Sequence, residues 1–595
     1  MGHYKINLKD VFFILKEQLD YGSLATLERY LGLNEKAFDM LVNEAASFAK
    51  GVVDPLQETG ERSGITFENN KVSVPEEYRK AFRQYGEKGW IAVDLDEEYG
   101  GQAFPQLLTI VKNDFMYGAC QAFNMAPGLT RGSAHLIESF AKTPLKKRFV
   151  PKMLEGIWAG TMCLTEPQAG SNLADITATA VRDGDHFRIK GEKIFISWGD
   201  HDMTENIIHL VLARIAGAPS GVKGISLFIV PKNNVDQNGM IEGPNDVFCS
   251  GIEEKMGIHA SPTCSLVFGA RDACVGYLCG EENKGLAHMF QMMNSARINT
   301  GVAGLGVAST AYQNALSYCR ERVQGRDVAR RKDGNVPIID HPDVRRMLLW
   351  MKGMVDGMRS MVYSGMFWAD MAKALPEGDD KKHYQDLTEF MTPIIKSCCS
   401  DMAFRVCETA VQCYGGYGFI REYPQEQYLR DVKILSLYEG TNGIQSMDLM
   451  GRKMTIEGGA PFEALKKEIQ RFCDEKKDHA GLGDTIRAFE GVAGRLCDAA
   501  VFFREKMKTD PLQWASYTFP MLNAFSDTIL VWRLLDMAVI AYENAQKPEK
   551  KYDFYRGKVM QATYLSDITL PHILVTIETC LRHNREIVDM PDAAF

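Results

Sequence analysis

The chain has 595 residues, a formal net charge of -9 and a sequence pI near 5.8. At roughly 150 residues per domain it is too long for one small domain, and its 45% hydrophobic and 24% charged residues exclude a largely disordered chain, a collagen-like fibre or a coiled-coil rod. The acidic balance argues against a surface built mainly to hold nucleic acid or anionic lipid.

Fourteen cysteines include no CxxC pair; the closest are Cys274 with Cys279 and the adjacent Cys398 and Cys399. That is a poor zinc framework, so no metal site is expected, and the cysteines read as buried thiols of a cytoplasmic protein. Residues 1–36 form an N-terminal extension whose apolar run, 12–15, is too short for a signal peptide. The most apolar late stretch, 529–542, is interrupted by Arg533 and Asp536, so no transmembrane segment is expected.

Apolar residues at three- and four-residue intervals over 37–49 and 144–154 predict an N-terminal helical domain over 37–158. From 159 to 280 the period becomes two, as in HFRIK at 186–190, preceded by an Asp183-Gly184 turn. Strand-like runs at 207–215, 224–230 and 264–268 follow, which predicts a middle antiparallel sheet or barrel. Helical spacing returns over 281–455, including the proline-free stretch 287–324, and predicts a helical bundle. A Gly-containing break at 457–459 precedes an appended helical domain, 456–595, with amphipathic runs at 462–472, 485–506 and 519–544. The charged stretch 547–551 reads as a solvated turn. The fold class is therefore α+β and mostly α, and the order helices, sheet, helices is not a βαβ series. Gly301, Gly304 and Gly306 do not spell a dinucleotide fingerprint and read as small residues for helix packing.

Three short segments could carry chemistry. In TEPQAGS (165–171), followed by Asn172, Pro167 stiffens one side and Gly170 frees the other; it is a plain turn, or one that presents Ser171 and backbone donors to an anion. In KIFISW (193–198) alternation puts Phe195 and Ser197 on one strand face, as sheet core or as cover for a planar cofactor. In ILSLYEGTNGIQ (434–445) an apolar run delivers Glu439 into a Gly-Thr-Asn-Gly turn. That carboxylate caps the turn or faces water; in an apolar cleft, desolvation would raise its pKa and suit it to act as a base. YGGYGF at 414–419 is a helix–helix turn or a close approach of backbone to a ligand.

Together these segments resemble the acyl-CoA dehydrogenase flavoproteins over residues 37–455. TEPQAGS looks like the family's flavin loop, KIFISWG like its flavin-facing strand, ERVQGR (321–326) like its cross-subunit cofactor segment, YGGYGFIREYP (414–424) like its late glycine motif, and LYEGTNGIQ like the segment with the base. Chain length, KMGIHASPTC (255–264) and the appended domain are most similar to the long bacterial branch that contains 3-(methylthio)propionyl-CoA dehydrogenase.

The resemblance implies FAD bound between the domains, partly by a neighbouring subunit of a homodimer. Met162, Leu164 and Thr165 would line the ring system; Gly170 and Ser171 would approach the phosphates; Phe195 and Ser197 would cover the ring near its reactive nitrogen. Arg322, Gln324, Gln412 and Gly416 would reach FAD across the interface, and Thr441 would meet the adenosine part. Asn294 and Arg297 would hold the CoA moiety, Tyr438 and Gly440 would flank the thioester, and Phe123 and Met125 would line the acyl pocket. Glu439 would take the α-proton as the β-hydride passes to flavin N5, giving a trans-2-enoyl-CoA, with electrons passed to electron-transfer flavoprotein. Some relatives place the base where Ala296 stands here, which supports Glu439. Gly443 and Ser446 depart from the family pattern, and Arg452 is a candidate replacement for a missing arginine. An acyl-CoA oxidase and a nucleic-acid-binding flavoprotein share this architecture and are the alternatives.

Overall fold

The computed structural model describes residues 3–547, 552–582 and 584–595, so most of the charged stretch 547–551 lies outside the described residues. The chain divides into two compact units, residues 1–4 with 40–299, and residues 5–39 with 300–595.

Helices α1 (Glu35–Phe48), α2 (Asp54–Ser63), α3 (Glu76–Glu87), α4 (Gln106–Ala119), α5 (Gln121–Phe140) and α6 (Thr143–Leu154) precede the sheet, with one short hairpin, Thr66–Glu68 and Lys71–Ser73. The main sheet has eight strands: β1 (Trp158–Cys163), β2 (Thr179–Asp183), β3 (His186–Ser197), β4 (Asn206–Ile215), β5 (Ile225–Pro231), β6 (Val247–Ile252), β7 (Thr263–Phe268) and β8 (Val275–Leu278). Its order is β6-β7-β3-β8-β5-β4-β1, with β2 against β3 and β4. Alternate side chains such as Phe187, Ile189, Val211, Phe228 and Leu266 form its core.

The sheet is mostly antiparallel, but β1 and β2 each pair with β4 in parallel. The hairpin turn is Gly184-Asp185, one residue later than predicted, because Asp183 pairs with His186 and the left-handed position falls on Gly184 (φ 64°).

Helix α7 (Gly285–Glu321) contains the boundary between the units. It stops short of the predicted helical stretch: Val323–Arg326 is a strand paired with Asn335–Pro337, so Gln324 lies in a hairpin, where Gly325 takes φ 74°. Helices α8 (Pro342–Ala374) and α9 (Asp379–Tyr414) follow, then α10 (Gln425–Val432) and the short α11 (Asn442–Met447). A Cβ on Gly301 would lie 2.7 Å from Ile395 Cγ2, and one on Gly304 2.6 Å from the Cys399 carbonyl oxygen, so these glycines let α7 approach α9. Helices α12 (Ala460–Lys476), α13 (Gly483–Thr509), α14 (Pro511–Ala545) and α15 (Tyr552–Leu581) complete the second unit. No described helix is long and apolar enough to cross a membrane.

The N-terminal segment is tied into this second unit by polar contacts. Glu17 accepts hydrogen bonds from Asn544 Nδ2 (2.6 Å) and Tyr555 Oη (2.8 Å). Lys558 Nζ lies 2.6 Å from Asp10 and 2.7 Å from Asp356, with Lys352 Nζ 3.1 Å from Asp356. Burial alone would push the Asp356 carboxyl up, but Lys352 and Lys558 outweigh it and hold it well below the usual carboxylate range. Its stabilisation is therefore complete above an unfolded value of about 4 and is lost as the pH falls below that. Thermal melting should show a plateau near neutrality and a decline in acid, and Asp356→Asn should lower the plateau and make the acid decline shallower. An unchanged acid limb in the variant would contradict this assignment.

Candidate functional site

The first unit builds one group of these residues around a buried ion pair. Backbone bonds between Glu166 and Ala169 (3.1 and 3.0 Å) close a tight turn over Pro167 and Gln168. Glu166 points inward, only 2% exposed, and its Oε1 meets Lys193 Nζ of β3 at 2.7 Å. The same carboxylate accepts from the N–H groups of Thr177 (2.6 Å) and Ala178 (3.1 Å) and from the Thr177 hydroxyl. Burial raises the Glu166 pKa, but Lys193 and these donors overcome it and leave the group below its ordinary value. Lys193 also donates to the Leu164 carbonyl (2.9 Å), and the Ile194 N–H to the Thr165 carbonyl (2.9 Å). The 164–166 segment is thereby stitched to the end of β3, with Gly170 and Ser171 exposed beyond the turn. Asn172 caps a single helical turn, Leu173–Asp175.

At that end of β3 the register slips. Cys264 pairs with Ile196 but Leu266 pairs with Lys193, so the strand carries an extra residue. Phe195 takes φ 58° and Trp198 φ 54°, and the Trp198 indole N–H donates to the Ala122 carbonyl (3.1 Å). Ile196 is buried, whereas Phe195 is 59% exposed and Ser197 half-buried, so the sheet-core reading does not hold for Phe195. A left-handed phenylalanine costs about 1–2 kcal/mol, and its exposed ring forgoes a further 1.5–3 kcal/mol of burial. A flat ligand laid on the ring would recover the second term. Met162 on β1 is half-buried and Leu164 buried.

On α7, Asn294 is half-buried with a buried Oδ1 that has no protein partner, and Arg297 is buried. Phe123 is enclosed by Tyr78 and Tyr85 (ring centroids 5.6 and 6.1 Å) with no exposed surface, and Met125 is buried with its sulfur 3.8 Å from the Ser261 hydroxyl. Phe123 thus packs within an aromatic cluster next to Met125's helical turn.

The second unit holds two further groups. A cleft of about 670 Å³ is lined by Arg322, Gln324, Gln412 and Gly416, which brings together all four residues expected to reach a cofactor from a neighbouring subunit. Gly415 closes α9 with φ 60°, and a Cβ on Gly415 or Gly416 would meet nothing within 4 Å, which leaves backbone open to a ligand. The Arg322 guanidinium lies 5.8 Å from the Tyr417 ring centroid.

The turn that carries Glu439 is the other group. Glu439 is half-buried with φ 58°, and Gly440 follows at φ 82°. Gln445 Nε2 donates to both their carbonyls (3.3 and 3.1 Å). The Thr441 hydroxyl caps α11 by accepting from the Ile444 N–H (3.2 Å). Tyr438 is half-buried beside Glu439. Arg452 is engaged by Asp448 (2.7 Å) and Glu389 (3.0 Å). Sequence reasoning missed Glu166, Lys193 and the side chain of Asn442. All three stood inside the quoted motifs, and for the first two a charged pair at inward-facing positions was the available signal.

Residues 35–157, 161–270 and 283–454 match the N-terminal, middle and C-terminal domains of acyl-CoA dehydrogenase, and residues 465–591 match the acetyl-CoA dehydrogenase C-terminal-like domain. The chain is 35% identical over 599 residues to 3-methylmercaptopropionyl-CoA dehydrogenase of Ruegeria pomeroyi, covering 99% of each. It is 36% identical over 621 residues to a butyryl-CoA dehydrogenase of Syntrophomonas wolfei, covering all of both. Among solved structures, an acyl-CoA dehydrogenase from Bacillus anthracis complexed with FAD shares the fold with a TM-score of 0.75 at 22% identity, over 97% of this chain and 93% of that one.

Proposed function

The chain belongs to the acyl-CoA dehydrogenase family, and on that premise we propose that Glu439 takes the α-proton of an acyl-CoA thioester in its conversion to the trans-2-enoyl-CoA. The enzyme is an FAD-dependent oxidoreductase acting on acyl-CoA. Bound FAD supplies the acceptor for the β-hydride. The residues present fit that cofactor: an exposed phenylalanine on a bulged strand, a donor-bearing turn anchored beside it, and a cleft with open glycine backbone.

The observation that carries the reading is the turn around Glu439. The left-handed φ of this half-buried residue, with its carbonyl held by Gln445, fixes the direction in which its Cα–Cβ bond leaves the turn. An α-proton is weakly acidic, so the thioester oxygen needs donors as enolate charge develops, and the Glu439 N–H is the candidate among the turn's own groups. Met162, Leu164, Thr165, Phe195 and Ser197 orient the ring system. Gly170 and Ser171 meet the phosphates. Arg322, Gln324, Gln412 and Gly416 serve the cofactor of a second copy, and Thr441, whose hydroxyl accepts from Ile444 N–H and still has its own O–H to donate, serves the adenosine end. The exposed Tyr417 and Ile420, which line the same cleft, support a homodimer. Asn294 and Arg297 hold CoA, with the buried Asn294 Oδ1 awaiting a donor. Tyr438 and Gly440 flank the thioester, and Phe123 and Met125 serve the acyl end. The named full-length relatives act on short acyl groups, so short chains, with and without a thioether sulfur, are the substrates to try first.

Electron-transfer flavoprotein is proposed as the acceptor. With a short acyl-CoA, turnover should need that protein or a dye, and peroxide should form at only a small fraction of that rate. Oxygen-supported turnover as fast as dye-supported turnover would make the enzyme an oxidase instead.

A further inference from the structure

Immediately after Glu439-Gly440-Thr441, the amide of Asn442 is held end to end between opposite charges on α9. Its Oδ1 accepts from the ammonium of Lys396 at 2.7 Å, and its Nδ2 donates to Asp401 Oδ1 at 2.7 Å. Ser400 Oγ lies within hydrogen-bond reach of both amide atoms, 3.3 Å from the oxygen and 3.0 Å from the nitrogen. Lys396 has no exposed surface, and Asn442 is buried. The flanking charges settle the amide's orientation, oxygen to the cation and nitrogen to the carboxylate. Neither a carboxylate nor an apolar side chain can replace it: aspartate would set one anion against another, and leucine would remove the amide from both charged groups.

We propose that Asn442, clamped by Lys396, Ser400 and Asp401, is the positioning residue that keeps Glu439 in its left-handed, proton-abstracting conformation. Two adjacent residues with positive φ, one of them a glutamate, form a turn with a cheaper relaxed alternative. Gln445 holds this turn from within the same short helix and can move with it, whereas the Asn442 clamp ties it to a long, packed helix. The inference rests on Glu439 being the base.

The test is Asn442→Ala in the holoenzyme, with Asn442→Ser as the milder variant should the first fold poorly. Three quantities are read per bound flavin: the rate of anaerobic flavin bleaching, its isotope effect with α-deuterated acyl-CoA, and amide hydrogen exchange over residues 437–447. Loss of aim should slow bleaching by at least about tenfold, since ångström-scale misplacement of a reacting group costs up to about a hundredfold. It should also enlarge the α-deuterium effect and quicken exchange in the turn, with FAD content kept; serine should recover part of the rate. Normal bleaching per flavin in both variants would overturn the proposal, as would slowed bleaching with unchanged exchange. Glu439→Gln is run beside them: if it alone bleaches normally, the base assignment fails, whatever Asn442 does.

Discussion

Glu439→Gln is expected to bind FAD like the wild type and to lose bleaching by acyl-CoA by at least about a hundredfold, the lower end of what a general base contributes. The substitution keeps side-chain length and Cβ, so the turn held by Gln445 and the Thr441 cap is undisturbed. Only the proposed proton acceptor is removed. Glu439→Gly sharpens the result: glycine adopts φ 58° without the steric penalty of a side chain, so this variant should melt at or above the wild-type temperature while being equally inactive. Stability and catalysis would then move in opposite directions at one position. A Glu439→Gly variant that is less stable than wild type would show that the side chain, beyond the backbone, holds the turn together.

The second large effect is expected at the ion pair under the 165–171 turn. Glu166→Gln leaves the Lys193 ammonium, which has no exposed surface, without its counter-charge, and breaking such a pair costs about 3–5 kcal/mol. The loss should appear as a lower denaturation midpoint and a reduced FAD-to-protein ratio, because the same lysine and the Thr165 carbonyl stitch the turn to β3. Lys193→Met should be milder, since Glu166 keeps the Thr177 and Ala178 donors. The double variant should be more stable than Glu166→Gln alone, because it buries no unpaired charge. A Glu166→Gln protein with wild-type midpoint and full FAD would refute the anchoring role.

Periodicity located the helices and strands because each buries one face. It failed where a single backbone angle decides. Helix α7 ends at Glu321 because a hairpin competes for Val323 and Gly325, and a proline-free stretch gives no sign of that. The extra residue in β3 is likewise invisible: KIFIS alternates on paper, yet Lys193 and Ile196, three apart, are both buried. For the site, the motifs were legible as motifs, and the fold brings Arg322, Gln324, Gln412 and Gly416 to one cleft across about ninety residues of chain. Supports that come from distant segments were not legible. Lys396 lies in a helical run 46 residues before Asn442, and no local pattern says that the two meet.

On the proposed reading, an acyl-CoA thioester loses its α-proton to Glu439 as it reduces the bound flavin. Anaerobic titration of wild-type and Glu439→Gln holoenzymes with a panel of short acyl-CoA thioesters, followed at the oxidised flavin band, tests it most directly. Prompt bleaching of the wild type by at least one member of the panel is expected, with a persistent yellow colour in the variant. Equal bleaching of the two proteins, or none of the wild type by any member, would contradict it.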